Sequence, residues 1–139
     1  MKTFVIALLV LAVLISGMFM YSGYIKRLEN DFIKIIDEIS ELVNKDQWDE
    51  AREKNKDLKD FWEKSEKKLS FFNDHGDLDE IRLAIGDLNE SISYTDTEHS
   101  KKAIEEIRVL FERLVKNESF SLENILGLAH KGLFCHIML

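Results

Sequence analysis

The chain has no proline and a single cysteine in 139 residues. Without proline nothing obliges a helix to kink or stop, and with Cys135 alone no disulfide can form within the chain, so packing must hold it together. The local patterns that carry chemistry are also missing, with no GxxxxGK phosphate loop, HExxH, GxSxG or CxxC. Positive excess is absent too. After Tyr24 the chain holds 18 Lys and Arg against 26 Asp and Glu, a net charge of −8. That balance argues against nucleic acid, which rewards clustered Lys and Arg, and against a polybasic grip on anionic lipid.

Strongly ionisable side chains are absent from Phe4 to Tyr24, FVIALLVLAVLISGMFMYSGY, a run of 21 residues. As a helix it covers roughly 30 Å, the hydrocarbon thickness of a bilayer. Tyr21 and Tyr24 fall where amphipathic rings favour the interface, with Lys26 and Arg27 just beyond. A cleaved signal peptide needs a shorter apolar core and a small-x-small exit. Here the core continues through Met18, Phe19 and Met20, so an uncleaved anchor is expected, and a secreted helical protein after cleavage is the alternative. Hairpin insertion exports residues 25–139, whereas Lys26, Arg27 and Lys34 outnumber Lys2 and favour the reverse. Export is the reading taken, giving a single-pass cell-membrane protein with an extracytoplasmic C-terminal domain.

The rest of the chain reads as helices. Ile25, Leu28, Phe32, Ile35, Ile39 and Leu42 recur at steps of 3 and 4, with Ile36 and Val43 on one flank, until Asn44-Lys45-Asp46 breaks the pattern. With Asp46 as the expected N-cap, a second stripe follows at Trp48, Ala51, Asn55, Leu58, Trp62, Ser65, Leu69 and Phe72. Around it Glu50–Lys54, Asp60–Lys64 and Glu63–Lys67 are spaced as i,i+4 ion pairs. Asn55 and Ser65 inside the stripe are expected to fix register. Asn73-Asp74-His75-Gly76 is the next break, and Asp77 with Glu80 has capping-box spacing. A third helix carries Leu78, Ile81, Ile85, Leu88 and Ile92, with Gly86 among them. After a turn at Tyr94–Thr97 a fourth carries Ala103, Ile107, Leu110 and Leu114, with Ile104 and Phe111 alongside, and is expected to stop near Asn117. Weak echoes at shifts of 52 and 53 residues make two αα-hairpins packed as one four-helix bundle the simplest architecture. The expected fold is therefore all-α: a membrane anchor over 1–24, a coiled-coil-like bundle over 25–126 and an apolar tail over 127–139.

The stretches MKTFVIALLVLAVLI, NKDQWDEA, FWEK, FFNDHGDLDEI and SLENIL, in that order across residues 1–126, carry a resemblance. The chain resembles domain-of-unknown-function family 4363, small bacterial proteins known mainly from clostridia. The resemblance implies a membrane-anchored helical protein and supplies no catalytic or binding residues. The segment GLAHKGLFCHIML lies beyond the family's pattern.

Candidate chemistry is sparse. Asn73, Asp77 and Asp79 fail as a calcium loop, because Leu78 then takes the glycine position and Ala84 the closing glutamate position. His75 reads as a helix-terminal histidine with Gly76 ending the helix, and His99 as a solvated first-turn residue. His130, Cys135 and His136 do not share one face of a helix. No catalytic residue, cofactor or metal is expected, and neither is a small-molecule substrate. Trp48, Phe61, Trp62, Phe71 and Phe72 concentrate aromatic surface on one helix. Phe61 and Phe71 fall off its core stripe, and with His75 they form the expected partner surface. The function expected is a non-enzymatic interaction or scaffold module held by lipid contacts over residues 4–24 and engaging a protein partner. A sensing accessory subunit of a membrane partner is the alternative.

Overall fold

The computed structural model describes the backbone of residues 2–70 and 75–137 and the side chains of residues 2–70 and 75–117. Four helices follow one another: α1 (Lys2–Asn44), α2 (Trp48–Leu69), α3 (His75–Ser93) and α4 (Thr97–Ile137). Each packs against the next, and α1 packs against α4 to close the ring. Cross-helix pairs give the directions. Phe32 of α1 meets Trp62 of α2 and Phe111 of α4, Asn55 of α2 meets Asn89 of α3, and Asp77 of α3 meets Arg113 of α4. Set beside Lys54–Glu38, Arg82–Glu66 and Ser100–Ser91, these pairs make every neighbour antiparallel. The result is an up-down-up-down bundle with short connections.

The stripes pack inward, with a shift of phase. In α1 the buried residues are Ile25, Leu28, Phe32, Ile36, Ile39 and Val43, while Ile35 and Leu42 are only partly covered. In α4 Phe111 is buried and Leu110 lies at the edge. A nearly straight helix turns once per 3.6 residues, so a strict 3.5-residue stripe drifts off its inner face within about three turns. α2 and α3 bury the expected residues, with Trp48 half-covered and Phe72 outside the described residues. Gly86 lies outside the buried stripe, on the exposed face of α3.

One corner of the core is aromatic. The Phe32 and Phe111 rings stack with centroids 3.9 Å apart, and Trp62 meets both edge-on at 5.9 and 6.4 Å. Among the described residues α3 contributes aliphatic residues instead, chiefly Leu78, Ile81, Ile85, Leu88 and Ile92. Asn55, expected to fix register, donates its amide across helices to Asn89 Oδ1 at 3.2 Å. Ser65 instead donates to the Phe61 carbonyl in its own helix at 2.8 Å. Ser100 donates to Ser91, which donates to the Leu88 carbonyl. Trp62 Nε1 is buried without an acceptor among the described residues.

The two connections at one end of the bundle share a geometry. Asp46 and Thr95 have φ of 55° and 54°. Gln47 and Asp96 donate back to Leu42 and Ser91, while Asp46 and Thr95 donate to Val43 and Ile92. This is the Schellman arrangement, in which a left-handed residue after the helix lets two amides satisfy its last carbonyls. Asp46 therefore ends α1 rather than capping α2, whose N-cap is Gln47 with no side-chain hydrogen bond. Asp96 does cap α4, its carboxylate accepting from the His99 amide at 3.0 Å.

Three further expectations are corrected. His75 opens α3 instead of closing α2, since Gly76 is tolerated in a first turn that carries Asp77. Asp77 and Glu80 do not form a capping box; both accept from Arg113 of α4 and clamp the two helices. Finally, α4 does not stop at Asn117 but continues to Ile137, because asparagine costs a helix interior little. The side chains of 118–137, including His130, Cys135 and His136, lie outside the described residues.

Candidate functional site

α1 and α4 outrun the bundle at the same end. Antiparallel pairing of Phe32 with Phe111 puts Ile25 level with α4 near residue 118, and residues 2–20 of α1 leave the packed core there, with Tyr21 and Tyr24 still packed at its edge. Almost all of them are exposed. An 18-residue stretch of α1 has mean hydropathy 2.7 and none of it is buried, so this helix is long and apolar enough to cross a membrane.

Immediately below that segment, α1 and α2 frame a groove of about 310 Å³. Its floor is apolar: Leu28 is buried, and Phe61 packs half-covered against Phe32 with ring centroids 6.2 Å apart. Its rim is charged, with Arg27, Lys64 and Lys68 facing Asp31. Lys68 Nζ stands 5.3 Å from the centre of the Tyr24 ring, a cation–π contact that leaves the ammonium open to solvent. Ser65, whose hydroxyl donates to the Phe61 carbonyl, lines the groove beside Tyr24. None of the three cations has a carboxylate within ion-pair distance among the described residues.

Four cations elsewhere on the bundle are matched across helices. Lys54 of α2 reaches Glu38 of α1 at 2.7 Å instead of Glu50, and its hydrogen bond holds the Glu38 carboxyl below the usual range. Arg108 of α4 bonds Asp37 of α1, Arg82 of α3 bonds Glu66 of α2, and Arg113 bonds Asp77 and Glu80. The other two spacings read as helix-surface pairs, Asp60–Lys64 and Glu63–Lys67, form no ion pair among the described residues.

A second groove, about 550 Å³, opens at the far end between α3 and α4 beside Tyr94, Asp96, His99 and Lys102. There the His99 ring nitrogen Nδ1 lies 2.8 Å from the Asp96 carboxylate. The backbone and side-chain hydrogen bonds from His99 hold the Asp96 carboxyl below its ordinary value. This is cap geometry rather than a nucleophile with its base. Among the described residues no three His, Cys, Asp or Glu side chains converge as a metal site.

Of the residues expected to form a partner surface, Phe61 lines the groove beside the apolar segment. His75 is exposed at the start of α3 and does not line that groove. Phe71 lies outside the described residues. The sequence reading missed the groove's cations, Arg27, Lys64 and Lys68; the available signal was their nearness to the end of the apolar run once α2 is folded back.

No curated protein and no solved structure matches the chain. The family model for DUF4363, a domain of unknown function, matches residues 19–125, which takes in the end of the apolar segment and the whole bundle, and the chain belongs to that family.

Proposed function

We propose that this is a membrane-anchored, non-enzymatic interaction module, with α1 crossing the bilayer over residues 4–24 and the bundle displayed on the outer face of the cell membrane to engage a protein partner. The observation that carries the reading is the continuity of α1: one helix whose apolar 18-residue stretch is wholly unburied passes without a break into a stripe that is core. Leaving so much apolar surface in water is unfavourable by about 25 cal/mol per Å², and a bilayer removes that cost. A catalytic role has less support, because the polar groups that converge in the bundle satisfy one another as caps and ion pairs. Fractionation of cells expressing the full chain tests the anchor, the expected result being retention in the pellet after alkaline carbonate washing. A shortened, soluble species beginning near Met18 is the result that overturns it. Proteolysis of intact cells tests the facing, and digestion of the bundle is expected.

A further inference from the structure

The groove below the apolar segment is marked by the gathering of three cations beside one carboxylate. Across the bundle Lys54, Arg82, Arg108 and Arg113 each meet a carboxylate on a neighbouring helix. Arg27, Lys64 and Lys68 share one groove with a single carboxylate, Asp31, and with no ion pair among the described residues. Their depth is as informative as their charge. Lys68 stands over Tyr24, the last residue of the apolar run. Arg27 lies three residues further along α1, about 5 Å at the helical rise, and Lys64 one turn back along α2, about 6 Å. The polar layer on each side of a bilayer's hydrocarbon is roughly 5 to 8 Å deep. All three cations therefore fall at the level of lipid phosphates, with the Tyr24 ring on their hydrocarbon side.

We propose that this groove binds the headgroup of an anionic phospholipid, its phosphate taken by Arg27, Lys64 and Lys68. The assignment rests on the reading of residues 4–24 as a membrane span. It does not need a basic protein: the chain is acidic as a whole, and a groove works through three cations at one depth where a polybasic patch works through many over an area. Arg27 presents a planar fork to phosphate oxygens, while the two lysines act as point charges that follow the headgroup. Asp31 at the rim repels a second anion and limits occupancy to one lipid.

The test uses the full chain in nonionic detergent, with thermal unfolding followed by circular dichroism. Short-chain phosphatidylglycerol is expected to raise Tm by roughly 5 °C at saturating concentration, and short-chain phosphatidylcholine and inorganic phosphate to leave it unchanged. The double variant Lys64→Gln with Lys68→Gln, both at exposed positions, should lose the shift. So should Arg27→Gln, whereas Lys26→Gln with Lys67→Gln, outside the groove, should keep it. An equal shift with phosphatidylcholine or with inorganic phosphate, a shift that survives in the groove variants, or no shift with any lipid overturns the proposal. Carbonate washing of the same wild-type chain reports separately on the span, so failure of the anchor and failure of the headgroup site give different results.

Discussion

The two halves of α1 are one helix with opposite surfaces. Phe4 and Met20 are 70% and 78% exposed, while Phe32, in the same helix, is 0% exposed and sits at the centre of an aromatic cluster. In the first half apolar residues run all the way round; in the second they keep to one face, with Asp37, Glu38 and Glu41 elsewhere on the helix. A helix apolar all round suits a medium with no polar side, and a striped one suits a boundary between core and water. The backbone is the same in both halves, so pattern and not propensity divides them.

Substitutions at the two halves and their partners should separate them. Leu58→Asp, on the partner of the second half, places a carboxylate where exposure is 0%. Its expected cost is several kcal/mol against a total near 5 to 15, so the bundle should lose its cooperative melt while the chain stays in the carbonate-washed pellet. Leu14→Arg, near the middle of the first half, should act in reverse. A charge there disfavours insertion by about 3 kcal/mol, so the pellet fraction should fall while Tm in detergent holds, since Leu14 is 60% exposed and outside the core. Trp62→Phe should cost only about 1 kcal/mol in a denaturant titration, far less than the ~3 to 5 typical of deleting a buried aromatic, because it also removes an indole N–H that has no acceptor among the described residues.

Smaller gains are expected at the helix ends and faces. Gly86→Ala enters open space on a helix and should stabilise by about 0.5 to 1 kcal/mol. Thr95→Gly relieves a β-branched residue at φ 54° and should stabilise by about 0.5 kcal/mol. The smallest effect is on acidification. Glu38 and Asp96 have folded pKa values below their unfolded ones, so the folded state binds fewer protons near pH 4. Their contribution is complete above about pH 5 and fades as pH falls through the depressed values. A Tm series from pH 6 to 3 should decline, and less steeply when Glu38→Gln and Asp96→Asn are combined.

The long apolar segment and the four stripes were legible because each depends on residues within a few turns of one another. What the sequence hid depends on the third dimension. Asp46 could be read as an N-cap because aspartate favours both that position and the left-handed residue after a helix; only the amides returning to Leu42 and Val43 decide between them. Lys54 has Glu50 one turn away, yet it bonds Glu38 on another helix. The groove joins Arg27 to Lys64 and Lys68 across 37 and 41 positions, a proximity that exists only once α2 has folded back along α1.

The unbroken course of α1 from Lys2 to Asn44 also makes the molecule a lever. With no proline and no flexible joint between the proposed span and the core, the roughly 20 residues from Ile25 to Asn44 form a stiff arm about 30 Å long. Spans commonly tilt by about 20°, and a tilt of that size swings the far end of such an arm sideways by about 10 Å. The turns at Asp46 and Thr95 would then sweep parallel to the membrane as the tilt changes, so that the far end of the bundle carries the angle of the span as a lateral displacement.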